Sequence, residues 1–303
     1  MHNRLPKKLQ LRICQLLDMR TLLRLRRCSN QYLELVSNEL TESLEQRLAP
    51  YVPFPDALLI NLIDRDAFVG GHVALQFLLR DPADDVEVPG HLDLYVPAEQ
   101  VDAVVHHLET RQGGSVVEFP PPEGCNMDDW LEEHSLLEVV AVETTAGLVY
   151  VHRAQGEDAL APIARSWSTL HMCYANGVLF GCAFPGLTFD RRGLVGDMSS
   201  EDEDVRLCAA YLAKGFDLRM SASSWEEYGA GDGTIVCCAP HWCCHAQPRR
   251  FDDPGALRCK VRMDIDAACI APTWVTWRLD IRPCGGDCLR DGELEGWQVI
   301  ELD

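Results

Sequence analysis

The sequence predicts an α+β fold in which a head of three short helices precedes a mixed α/β body. Apolar residues recur at helical spacing over residues 1–48, which indicates the helices of the head. Beyond them, short apolar runs of strand type are interleaved with helical segments. The dipeptide Asn176-Gly177, between two such runs, is typical of a two-residue hairpin turn. A chain of 303 residues with 47% hydrophobic content can bury a sizeable core around these elements.

The head is predicted over residues 1–48. Its first helix begins near Pro6, because proline suits the first turn of a helix. Apolar residues fall on one face of this helix at Leu5, Leu9, Ile13 and Leu16. Asp18 and Ser29 are capping residues that start a second and a third helix. Three helices this short cannot bury all of their leucines against one another, so the remainder must contact something else.

The same residues resemble an F-box, the module that docks substrate receptors onto the Skp adaptor of cullin-based ubiquitin ligases. The resemblance rests on Leu5-Pro6, Leu9, Ile13, Leu16-Leu17-Asp18, Leu22-Leu23-Arg24-Leu25 and Cys28-Ser29. It implies that the adaptor contacts Leu5, Pro6, Leu9, Ile13, Leu16, Leu17, Leu22 and Leu25, and that the body holds a protein target. The pattern departs from the family where Lys7-Lys8 replace the usual acidic residue. The alternative interpretation is a structural cap whose leucines are buried against the body.

Charge separates the head from the rest of the chain. Residues 1–50 hold nine Lys and Arg against five acidic residues, a net charge of +4. The whole chain carries −20, so residues 51–303 carry −24. The basic head suits an acidic partner, although its own body could also attract it. With a pI near 4.8, the chain is a poor candidate for nucleic-acid binding.

Composition also bounds the cellular compartment. The sequence contains no apolar run of eighteen residues, so we expect no membrane partner. No apolar segment follows the basic residues at Lys7-Lys8, which predicts a cytoplasmic or nuclear protein. In a reducing compartment, the fourteen cysteines indicate buried thiols or metal ligands rather than disulfides.

The remaining chain divides into a predicted linker, core and extension. Residues 49–56 form a linker or a chain reversal, because they contain Pro50, Pro53 and Pro55. The core, residues 57–160, is predicted to hold a strand at 92–96 and a helix at 98–111. Residues 161–303 form a Cys/His-rich extension that contains strands and packs on the core.

One motif of the core resembles the nucleotidyltransferase arrangement of a phosphate-cradling turn and a metal-binding strand. It consists of Val69-Gly70-Gly71-His72 followed by His91-Leu92-Asp93-Leu94-Tyr95. The resemblance implies a nucleotidyltransferase-like core in which Gly70, Gly71 and Asp93 contact a nucleotide. His91 replaces the first carboxylate of the usual pair, and one carboxylate cannot hold two metal ions. We therefore predict a scaffold without catalytic residues. The alternative is that Glu138 or Glu143, on a later strand, supplies a further carboxylate.

A wider resemblance covers most of the chain. Four pieces are similar to a group of fungal F-box-like proteins: the head; residues 70–77 with 92–96; residues 184–194; and Cys244 with Arg249, Asp253, Gly255 and Leu257. This resemblance implies a shared architecture but supplies no catalytic residue. The function expected is a substrate receptor rather than an enzyme. The alternative is a nucleotide-binding or small-ligand-binding protein, or a divergent nucleotidyltransferase.

A cysteine and histidine cluster marks the extension. It comprises Cys237-Cys238, His241, Cys243-Cys244 and His245, with Cys284 and Cys288 downstream. Such ligands are typical of structural zinc sites, but adjacent cysteines cannot easily bind one metal ion. We therefore expect no cofactor and no metal ligand here, with structural zinc as the alternative.

Overall fold

The computed structural model describes residues 5–80, 90–120, 126–195, 202–228, 242–244, 246–262, 273–279 and 299–301. The fold is mixed α+β, as predicted. None of the described helices combines the length and the apolar character needed to cross a lipid bilayer.

The head consists of three helices that begin where the sequence predicts. They are α1 (Lys7–Leu16), α2 (Met19–Arg26) and α3 (Asn30–Leu48). The side chain of Asp18 accepts a hydrogen bond from the Thr21 amide at the start of α2. The side chain of Ser29 accepts one from the Tyr32 amide at the start of α3. Both predicted caps are therefore confirmed.

In the first part of the body, the described residues form four helices and five strands. They are α4 (Pro55–Ile63), β1 (Phe68–Val69), α5 (Gly71–Leu79), β2 (His91–Val96), α6 (Val101–Arg111), β3 (Ser115–Val117), α7 (Met127–Glu133), β4 (Leu136–Glu143) and β5 (Leu148–Ala154). A short 3₁₀ turn, Ala98–Gln100, precedes α6. The predicted strand at 92–96 is confirmed within one residue, and the predicted helix at 98–111 is formed by the 3₁₀ turn and α6 together.

The second part of the body has shorter elements. They are α8 (Ala161–Ala164), β6 (Cys173–Ala175), β7 (Leu179–Cys182), α9 (Pro185–Thr188), β8 (Arg192–Leu194), α10 (Asp202–Ala213), β9 (Asp217–Arg219), a 3₁₀ turn at Ala222–Ser224, β10 (Arg249–Arg250), β11 (Leu257–Lys260), β12 (Thr276–Arg278) and β13 (Val299–Glu301). The predicted hairpin at Asn176-Gly177 joins β6 and β7. The Asn176 side chain fixes this turn by accepting hydrogen bonds from the amides of Val178 and Leu179.

The main sheet crosses the boundary predicted at residue 160. Its eight strands lie in the order β11-β7-β6-β1-β2-β5-β4-β3. The neighbours β2 and β5 are parallel, and the other neighbours are antiparallel. Three of the strands, β6, β7 and β11, come from the predicted extension. The described residues of the predicted extension therefore contribute three strands to the same sheet as residues 57–160.

The segment predicted as a linker is an ordered connection. Tyr51 and Val52 are buried, and the Thr144 hydroxyl donates a hydrogen bond of 2.5 Å to the Tyr51 carbonyl. Helix α4 starts at Pro55, inside the predicted linker. Head and body share one hydrophobic core, which includes Cys14 from α1 and Phe77 from α5. The head is therefore packed on the body and is not joined to it by the connecting segment alone.

Two arginines fasten the head to the body. Arg80, at the end of α5, donates hydrogen bonds to the carbonyls of Leu17 and Cys14 and forms a buried ion pair with Glu39 at 2.6 Å. Arg26, in α2, donates to the carbonyls of Lys260 and Val261 at the end of β11. These bonds add side-chain donors to backbone carbonyl groups at the ends of α1 and β11.

Candidate functional site

The candidate site lies on the face of the main sheet opposite to the shared core. Leu92, Leu94 and Val96 of β2 point into the core, so the alternate residues His91, Asp93 and Tyr95 lie on the other face. Asp93 is paired with Tyr150 of β5, and Tyr95 is paired with His152. The parallel pairing of β2 and β5 brings these residues of the two strands together.

Asp93 is the charged centre of this face, and two histidines donate to it. His152 Nε2 lies 2.9 Å from Asp93 Oδ1, and His91 Nε2 lies 3.4 Å from the same oxygen. Burial alone would raise the pKa of Asp93, but the hydrogen bonds from His152 and His91 outweigh it and hold the pKa well below its usual range. The carboxylate is therefore ionised at neutral pH, while its side chain is only 16% exposed.

The predicted glycine turn wraps around Asp93. The Gly70 amide donates a hydrogen bond of 3.1 Å to the Asp93 carbonyl. Gly71 has a φ of +56°, and a Cβ atom there would overlap Asp93 Oδ2. Both the conformation and the space therefore require glycine at this position. The structure thus brings Gly70, Gly71 and Asp93 together, as the sequence predicts, and the Asp93 carboxylate lies against the turn.

A second group of polar side chains adjoins the turn. The hydroxyl oxygen of Tyr211, in α10, lies 2.5 Å from His72 Nδ1 and 2.6 Å from His171 Nε2. Trp167 Nε1 donates to His171 Nδ1 at 3.2 Å. Burial lowers the pKa of His72 to about 3 and that of His171 to about 4, so both imidazoles are neutral at pH 7.

The donors of this group can be assigned from the bonds it makes. Trp167 can only donate, so neutral His171 carries its proton on Nε2 and donates to Tyr211. The Tyr211 hydroxyl then donates to His72 Nδ1, which leaves the His72 proton on Nε2. This buried nitrogen has no hydrogen-bond partner in the described part of the chain, and neither has Nδ1 of His152.

Neither candidate for a further acid lies beside Asp93. Glu138 forms an ion pair of 3.1 Å with Arg153. Glu143 is exposed at the end of β4, in register with Leu148 rather than with Tyr150. Among the described residues, no group of three His, Cys, Asp or Glu side chains could hold a metal ion. The described arrangement supplies one ionised carboxylate and histidine donors, but no carboxylate pair.

The predicted docking residues of the head divide by exposure. Leu5, Leu9, Ile13 and Leu16 are 52%, 50%, 43% and 72% exposed, and Pro6 is also exposed. Leu17 and Leu25 are half-buried. Leu22 is fully buried in the shared core, so it packs the fold and lies on no surface that a partner could contact. The spacing of the leucines could not separate these cases, because it does not show which face α3 and the body cover.

Two pieces of the wider resemblance meet in a second hydrophobic cluster, which includes Phe184, Phe251 and Trp277. Arg249 is buried, forms an ion pair with Asp253 at 2.6 Å and donates to the Ala183 carbonyl. Its guanidinium lies 4.4 Å from the centre of the Phe184 ring. Gly255 lies against the Trp242 side chain, where a Cβ atom would overlap the ring. These residues therefore hold the segments around residues 184 and 249 together.

The cysteine and histidine cluster lies largely outside the described residues. This applies to Cys237, Cys238, His241, His245, Cys284 and Cys288. Cys243 and Cys244 are described, and both are buried. Burial raises the pKa of the Cys243 thiol to about 11, so this thiol is protonated at neutral pH. The expectation that the cluster binds no metal stays a prediction.

Sequence reasoning missed several members of the site. His152 and Tyr150 occupy alternate positions of β5, as His91 and Asp93 do in β2, so the repeated polar alternation in the sequence was an available signal. Tyr211 and His171 carried no such signal. No family model, curated protein or solved structure matches this chain.

Proposed function

We propose that this chain is a substrate receptor or adaptor that docks through α1 on a Skp-type adaptor of a cullin-based ubiquitin ligase, while its body holds a protein target. The observation that carries the proposal is the exposed apolar stripe of α1 and the residues just before it, formed by Leu5, Leu9, Ile13 and Leu16. A cap would bury this stripe, whereas a docking helix leaves it open in the free chain. Contiguous apolar surface of this kind marks interaction sites.

The surroundings of the stripe favour an acidic protein as the partner. Lys7, Lys8 and Arg12 are exposed on α1 beside the apolar residues, in a segment that carries +4. Opposite charge on the partner would speed encounter and fix its orientation.

A groove adjoins the stripe at its N-terminal end. It has a volume of about 230 Å³ and is lined by Leu5, Lys7, Gln10, Gln31, Glu34, Leu35 and Asn38. Gln10 donates a hydrogen bond to the Leu5 carbonyl, which holds this end of α1 in place. A groove between α1 and α3 offers a place for a side chain of the partner.

A second candidate function is binding of a small ligand by a nucleotidyltransferase-like body. The meeting of Gly70, Gly71 and Asp93 favours this candidate. It does not compete with docking, because the stripe of α1 and the face of β2 are different surfaces. The single carboxylate favours binding over catalysis.

The test is a binding assay with purified Skp adaptor. We expect the wild-type chain to bind, and the double variant Leu9→Asp with Ile13→Asp to lose binding, because a charge at a desolvated apolar interface costs several kcal/mol. Leu212→Asp is the matched control, since Leu212 is 50% exposed but lies on α10. It should bind like the wild type. Loss of binding together with unchanged thermal stability supports docking, whereas unfolding of the double variant would assign the stripe to the core.

A further inference from the structure

Asp93 is an ionised carboxylate for which the described chain provides no permanent cation. Its ion-pair partners in the described residues are His91 and His152, and no described Lys or Arg nitrogen lies within 4.0 Å of it. Charges that are largely removed from water are normally paired, because desolvation is expensive. The side chain is still 16% exposed, so a cation from another molecule can approach it.

A row of rings leads away from this carboxylate along the sheet face. The His91 ring stacks on Tyr150 at 4.2 Å between ring centres, and Tyr150 meets the ring of Phe119 edge-on at 5.0 Å. Phe119 lies 6.3 Å from Trp130 of α7, which stacks on His134 at 4.5 Å. All five rings are partly exposed. They form a continuous surface that we call the ring row.

The ring row lies in an acidic setting. Helix α7 carries Asp128, Asp129, Glu132 and Glu133 around Trp130, and all four are exposed without an ion pair to any described residue. Aromatic faces attract cations, and acids around them raise the local cation concentration. The same charges repel phosphate and other anions. With −24 on residues 51–303, the body as a whole selects for positive partners.

We propose that Asp93 and the ring row form the target-binding site, and that the site takes a Lys or Arg side chain from a basic segment of the target protein. The cationic group lies over the rings and pairs with the Asp93 carboxylate. The apolar stem of such a side chain packs along Tyr150 and Phe119, as long basic side chains do on apolar surface. The proposal rests on the proposed receptor function, since it assigns the place where the body holds its target.

The test is a fluorescence-anisotropy titration of the full chain with a labelled peptide of alternating Lys and Gly. A Glu-Gly peptide serves as the charge control, and ionic strength is kept low so that screening is weak. We expect the Lys-Gly peptide to bind and the Glu-Gly peptide not to bind. Asp93→Asn keeps the shape of the side chain and should weaken binding about tenfold, as expected for loss of a hydrogen bond to a charged group.

Two further variants separate the site from general attraction to an acidic surface. Trp130→Leu lies in the partly exposed ring row and should weaken binding about two- to thirtyfold through loss of a cation–π contact. Glu109→Gln removes one exposed charge on α6 and should leave binding unchanged. The proposal is overturned if the Lys-Gly peptide does not bind, if the Glu-Gly peptide binds as well, or if Glu109→Gln weakens binding as much as Trp130→Leu.

Because the titration uses the chain alone, it is independent of docking on the adaptor. The Leu9→Asp, Ile13→Asp variant should still bind the peptide. Peptide binding without adaptor binding would refute the receptor function but support the proposed cation site. Adaptor binding without peptide binding would refute the cation site alone.

Discussion

Replacing Arg80 by Met should separate the head from the body more effectively than any surface change. The Arg80 side chain is 6% exposed, and the side chain of its partner Glu39 is 5% exposed. Arg80 also donates to the carbonyls of Leu17 and Cys14, at 2.8 and 3.1 Å. Methionine fills a similar volume but leaves the Glu39 carboxylate buried without its cation and removes one donor from each of the two carbonyls.

The expected loss of stability follows from these contacts. Removing one partner of a buried ion pair typically costs about 3–5 kcal/mol, because the remaining charge stays out of water. We therefore expect Arg80→Met to lower the free energy of unfolding by about that amount in urea denaturation. Arg111→Met, an exposed arginine on α6, is the control and should cost about 0.5 kcal/mol or less.

A double-mutant cycle with Glu39→Gln tests the reason for the loss. If the cost of Arg80→Met comes from the stranded carboxylate, Glu39→Gln should recover part of it, and the two changes should not add. Additive losses, or a loss below about 1 kcal/mol for Arg80→Met, would refute the reasoning. The Arg80 contacts would then contribute little to holding the head on the body.

Two predictions concern the sheet face. We expect no nucleotidyl transfer from any nucleoside triphosphate with Mg²⁺ or Mn²⁺, because Asp93 is the only carboxylate that the described residues place at the turn. Turnover of a radiolabelled nucleoside triphosphate that disappears in Asp93→Ala would contradict this. Gly71→Ala should destabilise the chain by about 1–2 kcal/mol or more, since it forces a left-handed conformation on a residue with a Cβ atom that overlaps Asp93. Gly186→Ala, where nothing lies within 4 Å of the added atom, is the control in the same thermal-unfolding assay, and equal melting temperatures for the two variants would disprove the argument.

The elements with strong local signals could be predicted from the sequence. Asp18 and Ser29 start their helices because each side chain bonds to an amide only three residues away. Asn176 closes its hairpin in the same local way. Gly215, with a φ of +82°, lies two residues after the end of α10, where glycine suits the left-handed conformation that ends a helix. Such bonds depend on neighbours in the chain, so no knowledge of the fold is needed.

The candidate site was predictable only in part. The spacing of Gly70, Gly71 and Asp93 indicated a turn beside a strand, and the structure has them in contact. Their partner His152 comes from β5, 59 residues further along the chain than Asp93, and it joins the site through the parallel pairing of β2 with β5. A strand carries no local mark of which distant strand will lie beside it, because pairing is decided by the packing of the whole sheet.

The sequence by itself determined that the first helix has an apolar face and that the head is basic while the body is acidic. It could not determine which leucines face water. Leu9 and Leu22 are the same residue type in neighbouring helices, yet the first is 50% exposed and the second fully buried. The tertiary structure decided this by packing α3 and the body against one side of α1 and α2, with Arg80 and Arg26 forming hydrogen bonds between head and body. Exposure depends on segments that only folding brings together. The periodicity of apolar residues therefore predicts which face of a helix is apolar but not which segment packs against that face.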